Sequence, residues 1–175
     1  ALVGSHAKSV ACDLHPGIMS TRYANGYHGM RIIPVQHHHA HAAAVMGEYG
    51  LSGPVVGVMA DGLGYGRDGT IWGCEVLTAT RDDFERVGTL EHVGMPGGDS
   101  ASREPWRMAV SYLVKSYGYD DGLQKARRLV GVDDGKVDSV GMMIKAGVNC
   151  PQTSSLGRLF DGVSALLGVC FENGY

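Results

Sequence analysis

Four histidines, His37, His38, His39 and His41, fall within five residues and make up half of the eight in the chain. Imidazoles at that density suit metal ligation or proton transfer better than packing. Arg31 to Val35 is a short β-branched run, whereas Ala40 to Tyr49 is rich in helix formers, so the sequence predicts a strand followed by a helix. On that helix His37 and His41 are i and i+4, stacked on one face with Cβ atoms about 5–6 Å apart, which suits two imidazoles sharing one ion. His38 and His39 point about 100° and 200° away on the helical wheel. They are therefore first-turn residues expected to stand behind the ligands or face a substrate.

Two imidazoles do not complete a metal site, and a carboxylate is the usual third protein ligand where positions stay open for substrate. Asp61 is the natural candidate, because the apolar run Val55 to Ala60 reads as a buried strand that ends there in glycines. Ligands of open α/β sheets bind beyond the carboxyl ends of strands, and both the histidine helix and Asp61 lie at such ends. The same Asp is equally a turn residue before Gly. Gly62, Gly64, Gly66 and Gly69 leave backbone N–H groups open to a phosphate or acyl oxygen, and are as readily a plain hairpin connection. Arg103 and Arg107, expected one turn apart on a helix starting at Ser102, could add an anion-binding corner, or else form a solvated face with Glu104 as partner.

These residues need a scaffold. At 175 residues and 44% hydrophobic, the chain can build one domain or two small lobes with a genuine core. A net charge of −3 without long charged runs argues against a nucleic-acid partner. Four scattered cysteines with no C-x-x-C pair suggest neither a zinc finger nor a disulfide framework, and fit a reducing cytoplasm. No apolar run is of membrane-spanning length, and the opening residues from Ala1 to His6 lack the layout of a leader.

Lys8 to Leu14 reads as a strand and Ile18 to Tyr27 as a short helix. After the histidine helix, Thr70 to Thr80 and Phe84 to Val93 form a meander with the strand ending at Asp61. From Ser102 the period shifts to 3.6, predicting helices from 102, over 120–130, around 137–147 and over 155–167. Trp72, Trp106 and the pair Met142 and Met143 are expected in the core. Strand and helix alternation places the first part in the α/β class, with a lobe boundary near Gly94 to Asp99.

Four segments then match something specific. Val35-Gln36-His37-His38-His39-Ala40-His41, Asp61-Gly62-x-Gly64-Tyr65-Gly66-x-Asp68-Gly69-Thr70-Ile71-Trp72-Gly73-x-Glu75, Pro96-Gly97-Gly98-Asp99-x-Ala101-x-Arg103-Glu104-Pro105-Trp106-Arg107 and Ser154-Ser155-x-Gly157-Arg158-Leu159-Phe160-Asp161 closely resemble the HypF family, the carbamoyltransferases of [NiFe]-hydrogenase maturation. The resemblance implies a fragment of the C-terminal catalytic region, similar to the tRNA threonylcarbamoyl transferases (TsaD). Its fold would be ribonuclease-H-like, of the sugar-kinase, actin and heat-shock ATPase superfamily (ASKHA). Residues 1–93 would be the first lobe and 94–175 the mostly helical start of a second, truncated at both ends.

By the same resemblance, ATP and carbamoyl phosphate yield carbamoyl-adenylate, whose carbamoyl group passes to the C-terminal cysteine of a partner, HypE. His37, His41 and Asp61 would be ligands of a divalent metal, Fe or Zn, and Asp161 would lie by the nucleotide. Leu63 stands where the family commonly has Thr, and Cys74 where it has Gly. The alternatives are a tRNA-modifying transferase and a non-catalytic metal-binding or docking fragment.

Overall fold

The computed structural model describes residues 6–174, so the opening residues Ala1 to Ser5 lie outside the described part. The chain divides into two compact units: Ala1–Met59 with Gly64–Gly69 and Val76–Gly88, and Ala60–Leu63 with Thr70–Glu75 and Thr89–Tyr175.

In the first unit, β1 (Ser9–Asp13) and β2 (Arg31–Val35) form a two-stranded parallel sheet in register from Ser9 opposite Arg31 to Asp13 opposite Val35. Parallel pairing demands a crossover, and the crossover carries α1 (Met19–Asn25), tied back by Thr21 Oγ1 donating to the Asp13 carbonyl at 3.0 Å. The chain then enters α2 (His37–Glu48), whose N-cap Gln36 accepts the backbone N–H of His39 through its side chain at 2.9 Å. That cap satisfies a donor the first turn would otherwise leave open.

Strand β3 (Val55–Tyr65) is followed by β4 (Ile71–Ala79) and β5 (Phe84–Thr89), the meander the sequence predicts, with β4 paired to both neighbours. Thr80 closes the β4–β5 turn by donating its backbone N–H to Asp83 O at 2.8 Å. Burial alternates cleanly along β3 from Val55 to Asp61, then slips by one, because Asp61 and Gly62 are both half-buried.

The second unit is mostly helical, as the change of period requires. The two-residue strands β6 (Val93–Gly94) and β7 (Gln152–Thr153) pair antiparallel, and β7 adds parallel to β4 at Ile71. Around them lie α3 (Asp99–Arg103), α4 (Pro105–Tyr117), α5 (Tyr119–Leu129), α6 (Asp134–Ala146) and α7 (Leu156–Leu166). Helix α4 is the centre, packing on α5, α6 and α7, and its Trp106, Val110 and Leu113 share a core with Leu123, Val137 and Ala165. The α4–α5 crossing is close: a Cβ on Gly122 would lie 2.5 Å from Val114 Cα.

Two expectations are corrected. The helix expected from Ser102 is two helices, because Glu104 (φ −121°, ψ 76°) interrupts it and Pro105 restarts it. A residue before proline is driven out of the α region by the pyrrolidine ring. Met142 is 60% exposed on α6 rather than in the core, while Trp72 and Trp106 are buried as expected.

Candidate metal centre

The site begins with strand register. Asp13 and Val35 are opposite one another at the carboxyl ends of β1 and β2, so a side chain ending β1 stands beside the first turn of α2, which follows β2 by a single residue. There His37 Nδ1 lies 2.8 Å from Asp13 Oδ2, with the two side chains 31% and 18% exposed. A carboxylate at Nδ1 requires the proton there, and in neutral imidazole that makes Nε2 the lone-pair atom. His37 Nε2 faces His41 Nε2 at 3.2 Å, the rings 76° apart in plane. The i, i+4 pairing predicted from sequence is therefore realised. Beside it lies a hollow of about 390 Å³ lined by Ala11, Cys12, Asp13, Val35, Ala40 and the two histidines.

His38 and His39 are enclosed rather than turned to a substrate. His38 is fully buried, and a Cβ on Gly64 would lie 2.3 Å from its Cε1, so the glycine makes room for the ring. His39 Nε2 is 2.9 Å from Thr80 O, and its ring lies 5.1 Å from that of Phe84. Gln36 Nε2 donates to Tyr65 O at 3.2 Å. Together these contacts fasten the start of α2 to the end of β3 and to the β4–β5 turn. Helix α2 also lies along β3, its His41, Ala42, Val45 and Met46 lining a second hollow with Val55 to Met59.

Asp61 stands on the stretch of β3 that belongs to the second unit. Gly62 N–H donates to Asp61 Oδ1 at 2.6 Å, and Ser155 Oγ reaches the carbonyls of Asp61 (3.2 Å) and Gly62 (2.8 Å). Ser155 also caps α7 by accepting Arg158 N–H at 3.1 Å. Backbones meet so closely here that a Cβ on Gly73 would lie 2.6 Å from Asp61 O, and one on Gly157 2.9 Å from Gly62 Cα. Nearby, the fully buried Glu75 accepts the hydroxyls of Ser154 and Thr89.

Gly157 and Asp161 are i and i+4 on α7, so Gly62 sits one helical turn from Asp161. Arg158 Nη2 is 2.9 Å from Asp161 Oδ2. Burial pushes the Asp161 carboxyl above its ordinary pKa, against the opposing pull of Arg158 and a hydrogen bond from Asn173. Burial likewise raises the Tyr112 phenol to about 12; the Arg158 charge opposes this and Asp161 adds to it. Gly64 and Gly66 belong to the first unit, where Gly66 opens the turn closed by the Gly69 N–H at 3.1 Å, Gly69 taking φ +78°.

Arg107 takes the alternative the sequence offered, an ion pair with Glu104. Arg103 ends α3, whereas Arg107 lies on α4 and binds Glu104 at 2.5 Å, its guanidinium 4.9 Å from the Trp106 ring centre. With the helix broken at Glu104, the two arginines stand on different helices. Asp13, in contrast, was not singled out by the sequence, where it is one residue of the strand read over Lys8 to Leu14. The available signal was its place as the last residue of a strand adjoining the one that feeds the histidine helix.

The fold is that of a Kae1-like domain of the ASKHA type. The family model described as "Carbamoyltransferase, Kae1-like Domain, second subdomain" matches residues 57–175, and "HypF Kae1-like domain" matches residues 1–48. The chain belongs to the HypF carbamoyltransferase family. It is 42% identical over 174 residues to a carbamoyltransferase HypF homolog of Cupriavidus necator, covering 93% of this chain and 41% of the relative. It is 44% identical over 165 residues to carbamoyltransferase HypF of Rhizobium leguminosarum, covering 94% and 21% respectively. The crystal structure of full-length HypF in the phosphate- and nucleotide-bound form superposes with a TM-score of 0.87 at 36% identity, over 96% of this chain and 22% of that one. The crystal structure of T.kodakarensis HypF gives 0.83 at 34%, over 96% and 23%. The chain thus spans about two fifths of one relative and about a fifth of the other proteins compared.

Proposed function

We propose that this chain carries the carbamoyl-transfer site of a HypF-type enzyme, with His37, His41 and Asp61 as ligands of one divalent ion, Fe or Zn. The observation that carries the reading is the pair of Nε2 atoms 3.2 Å apart, with Asp13 on the far nitrogen of His37. Two nitrogens at about 2.0–2.1 Å from one tetrahedral or octahedral ion are separated by about 2.8–3.4 Å, so the pair fits a shared cation. Among the described residues, His37, His41 and Asp61 are a group whose donors could hold a metal ion. Strand geometry supports Asp61 as third ligand: Gly57, Met59 and Asp61 share the half-buried face of β3, and α2 lies along Val55 to Met59. Same-face neighbours on a strand are about 6.5 Å apart, within the span of an Asp and a His side chain together.

A bound divalent ion supplies a Lewis acid for the carbamoyl carbonyl or the adenylate phosphate. The protein's own residues position. Asp13 keeps the His37 proton on Nδ1, and Gly62, Gly64, Gly66 and Asp161 are the proposed surroundings of the nucleotide. In the transfer, a thiolate of the partner, HypE, attacks the carbamoyl carbon; the S–C bond forms, the bond from that carbon to the phosphate oxygen breaks, and AMP leaves with the electron pair. The chain then needs no nucleophile of its own, which agrees with the buried position of Cys150, its pKa raised by desolvation. No helix among the described residues is long and apolar enough to cross a membrane, and free cysteines agree with a proposed cytoplasmic setting.

The test assays transfer from synthetic carbamoyl-adenylate to a HypE-type C-terminal thiol, with tRNA as competing acceptor. Carbamoylation of the thiol that fails in the His37→Ala, His41→Ala double variant is the expected result. Transfer to tRNA alone, or activity indifferent to the double variant, contradicts the proposal.

A further inference from the structure

We propose that Asp13 is a positioning residue for the metal centre: it fixes His37 in the tautomer and orientation that present Nε2 for coordination. The inference rests on the metal reading above and adds to it a residue that touches neither ion nor substrate.

Three contacts immobilise Asp13 independently of the histidine. Its backbone is in register with Val35 across the parallel ladder, its carbonyl accepts Thr21 Oγ1 at 3.0 Å, and its Oδ1 accepts the backbone N–H of His15 at 2.7 Å. With Oδ1 engaged by its own loop, the carboxylate plane is set, and Oδ2 is the oxygen turned to His37 Nδ1 at 2.8 Å. An ionised carboxylate only accepts hydrogen bonds. The proton must therefore reside on Nδ1, and the Nε2 lone pair is directed to the side where His41 Nε2 stands. Without that acceptor, a neutral imidazole is free to carry its proton on Nε2 and to turn about its side-chain bonds. Metal-binding histidines generally depend on such outer partners, whose loss weakens affinity about 10–100-fold.

A purely structural bond would look similar in coordinates but differ in the consequence of exchanging the carboxylate for an amide. Asn at position 13 keeps the shape and the His15 contact, yet its NH2 can donate to Nδ1, favouring the tautomer with Nε2 protonated. Asp13→Asn is therefore expected to weaken zinc affinity about as much as Asp13→Ala, although it preserves packing.

The experiment is a titration of the metal-free chain with Zn²⁺, followed calorimetrically, for the parent, Asp13→Ala, Asp13→Asn and the His37→Ala, His41→Ala double variant. Ring ¹⁵N spectra of the metal-free proteins read the His37 tautomer in parallel. The expected result is a 10–100-fold loss of affinity in both Asp13 variants, with His37 shifting from the Nδ1–H form toward Nε2–H in Asp13→Asn. Parent-like zinc affinity in Asp13→Asn, with His37 still in the Nδ1–H form, overturns the positioning role while leaving the metal reading intact. If the parent binds no zinc, or the double variant binds as tightly as the parent, the metal reading falls and this inference falls with it.

Discussion

The two compact units are built on opposite principles. The second keeps large apolar side chains entirely from water, with Trp106, Met108, Val110, Val130, Val137 and Val140 each 2% exposed or less. Among the described residues of the first, Met46, Leu77 and three alanines are the buried apolar ones, and Thr21, Gln36, His38 and His39 are buried as well. Burial of hydrocarbon stabilises without direction, whereas buried polar groups must each find a partner and so specify geometry. The helical unit is accordingly a stabilising body. The histidine-bearing unit spends its interior on holding one helix start in place, which is what a metal centre requires.

That contrast can be broken at several strengths. The largest loss is expected in the helical unit, where Gly122→Val drives a branched side chain into the backbone of Val114 and Leu113, atoms that a Cβ alone would meet at 2.5–2.7 Å. Overpacking against backbone should cost about 3 kcal/mol or more in denaturant unfolding; a cost below about 1 kcal/mol would show that the crossing is loose. In the histidine unit the corresponding quantity is linkage. Zinc at about 100 times its dissociation constant should raise stability by about 2.7 kcal/mol, and the His37→Ala, His41→Ala variant should lose this increment while unfolding, metal-free, much like the parent. A variant destabilised without metal as strongly as Gly122→Val would mean the pair is structural.

Smaller effects sharpen the comparison. The Tyr112 phenol, on α4, is raised to about 12 by burial. A pKa raised on folding means that the neutral form is favoured in the native state, so its contribution is whole below about pH 10 and is lost as pH rises through 12. Alkaline unfolding between those values should be milder in Tyr112→Phe, and ultraviolet titration should find one phenol fewer near 12; an unchanged titration would contradict the assignment. Smallest is a rate difference between thiols. Cys150 is 9% exposed with its pKa raised by burial, while Cys12 is less enclosed and lines the hollow beside the histidines. Alkylation of the native chain should label Cys12 well before Cys150, and the reverse order would show that the helical unit opens more readily.

Periodicity made much of this legible in the sequence. The i, i+4 spacing of His37 and His41, the β-branched runs ahead of α2 and Asp61, and the helical pattern beyond Ser102 all have direct counterparts in the fold. What was not legible depends on chain segments distant in sequence. The strands β6 and β7 are two residues each, too short for any period, and exist through pairing across some sixty residues. His38 has the look of a reactive residue and is instead enclosed beside Gly64, a contact no helical wheel contains. The break at Glu104 was readable from Pro105, whose ring disfavours helix in the preceding residue, but the amphipathic pattern on both sides masked it. Asp13 became visible only when the parallel register placed the end of β1 beside His37.

The most direct test of the central claim is an anomalous-scattering map from crystals of the chain grown with Zn²⁺. The account predicts one ion at about 2.0–2.2 Å from Nε2 of His37, Nε2 of His41 and a carboxylate oxygen of Asp61, with Asp13 retained on His37 Nδ1. An ion bound elsewhere, or His37 and His41 still hydrogen-bonded to each other in saturating zinc, would contradict it.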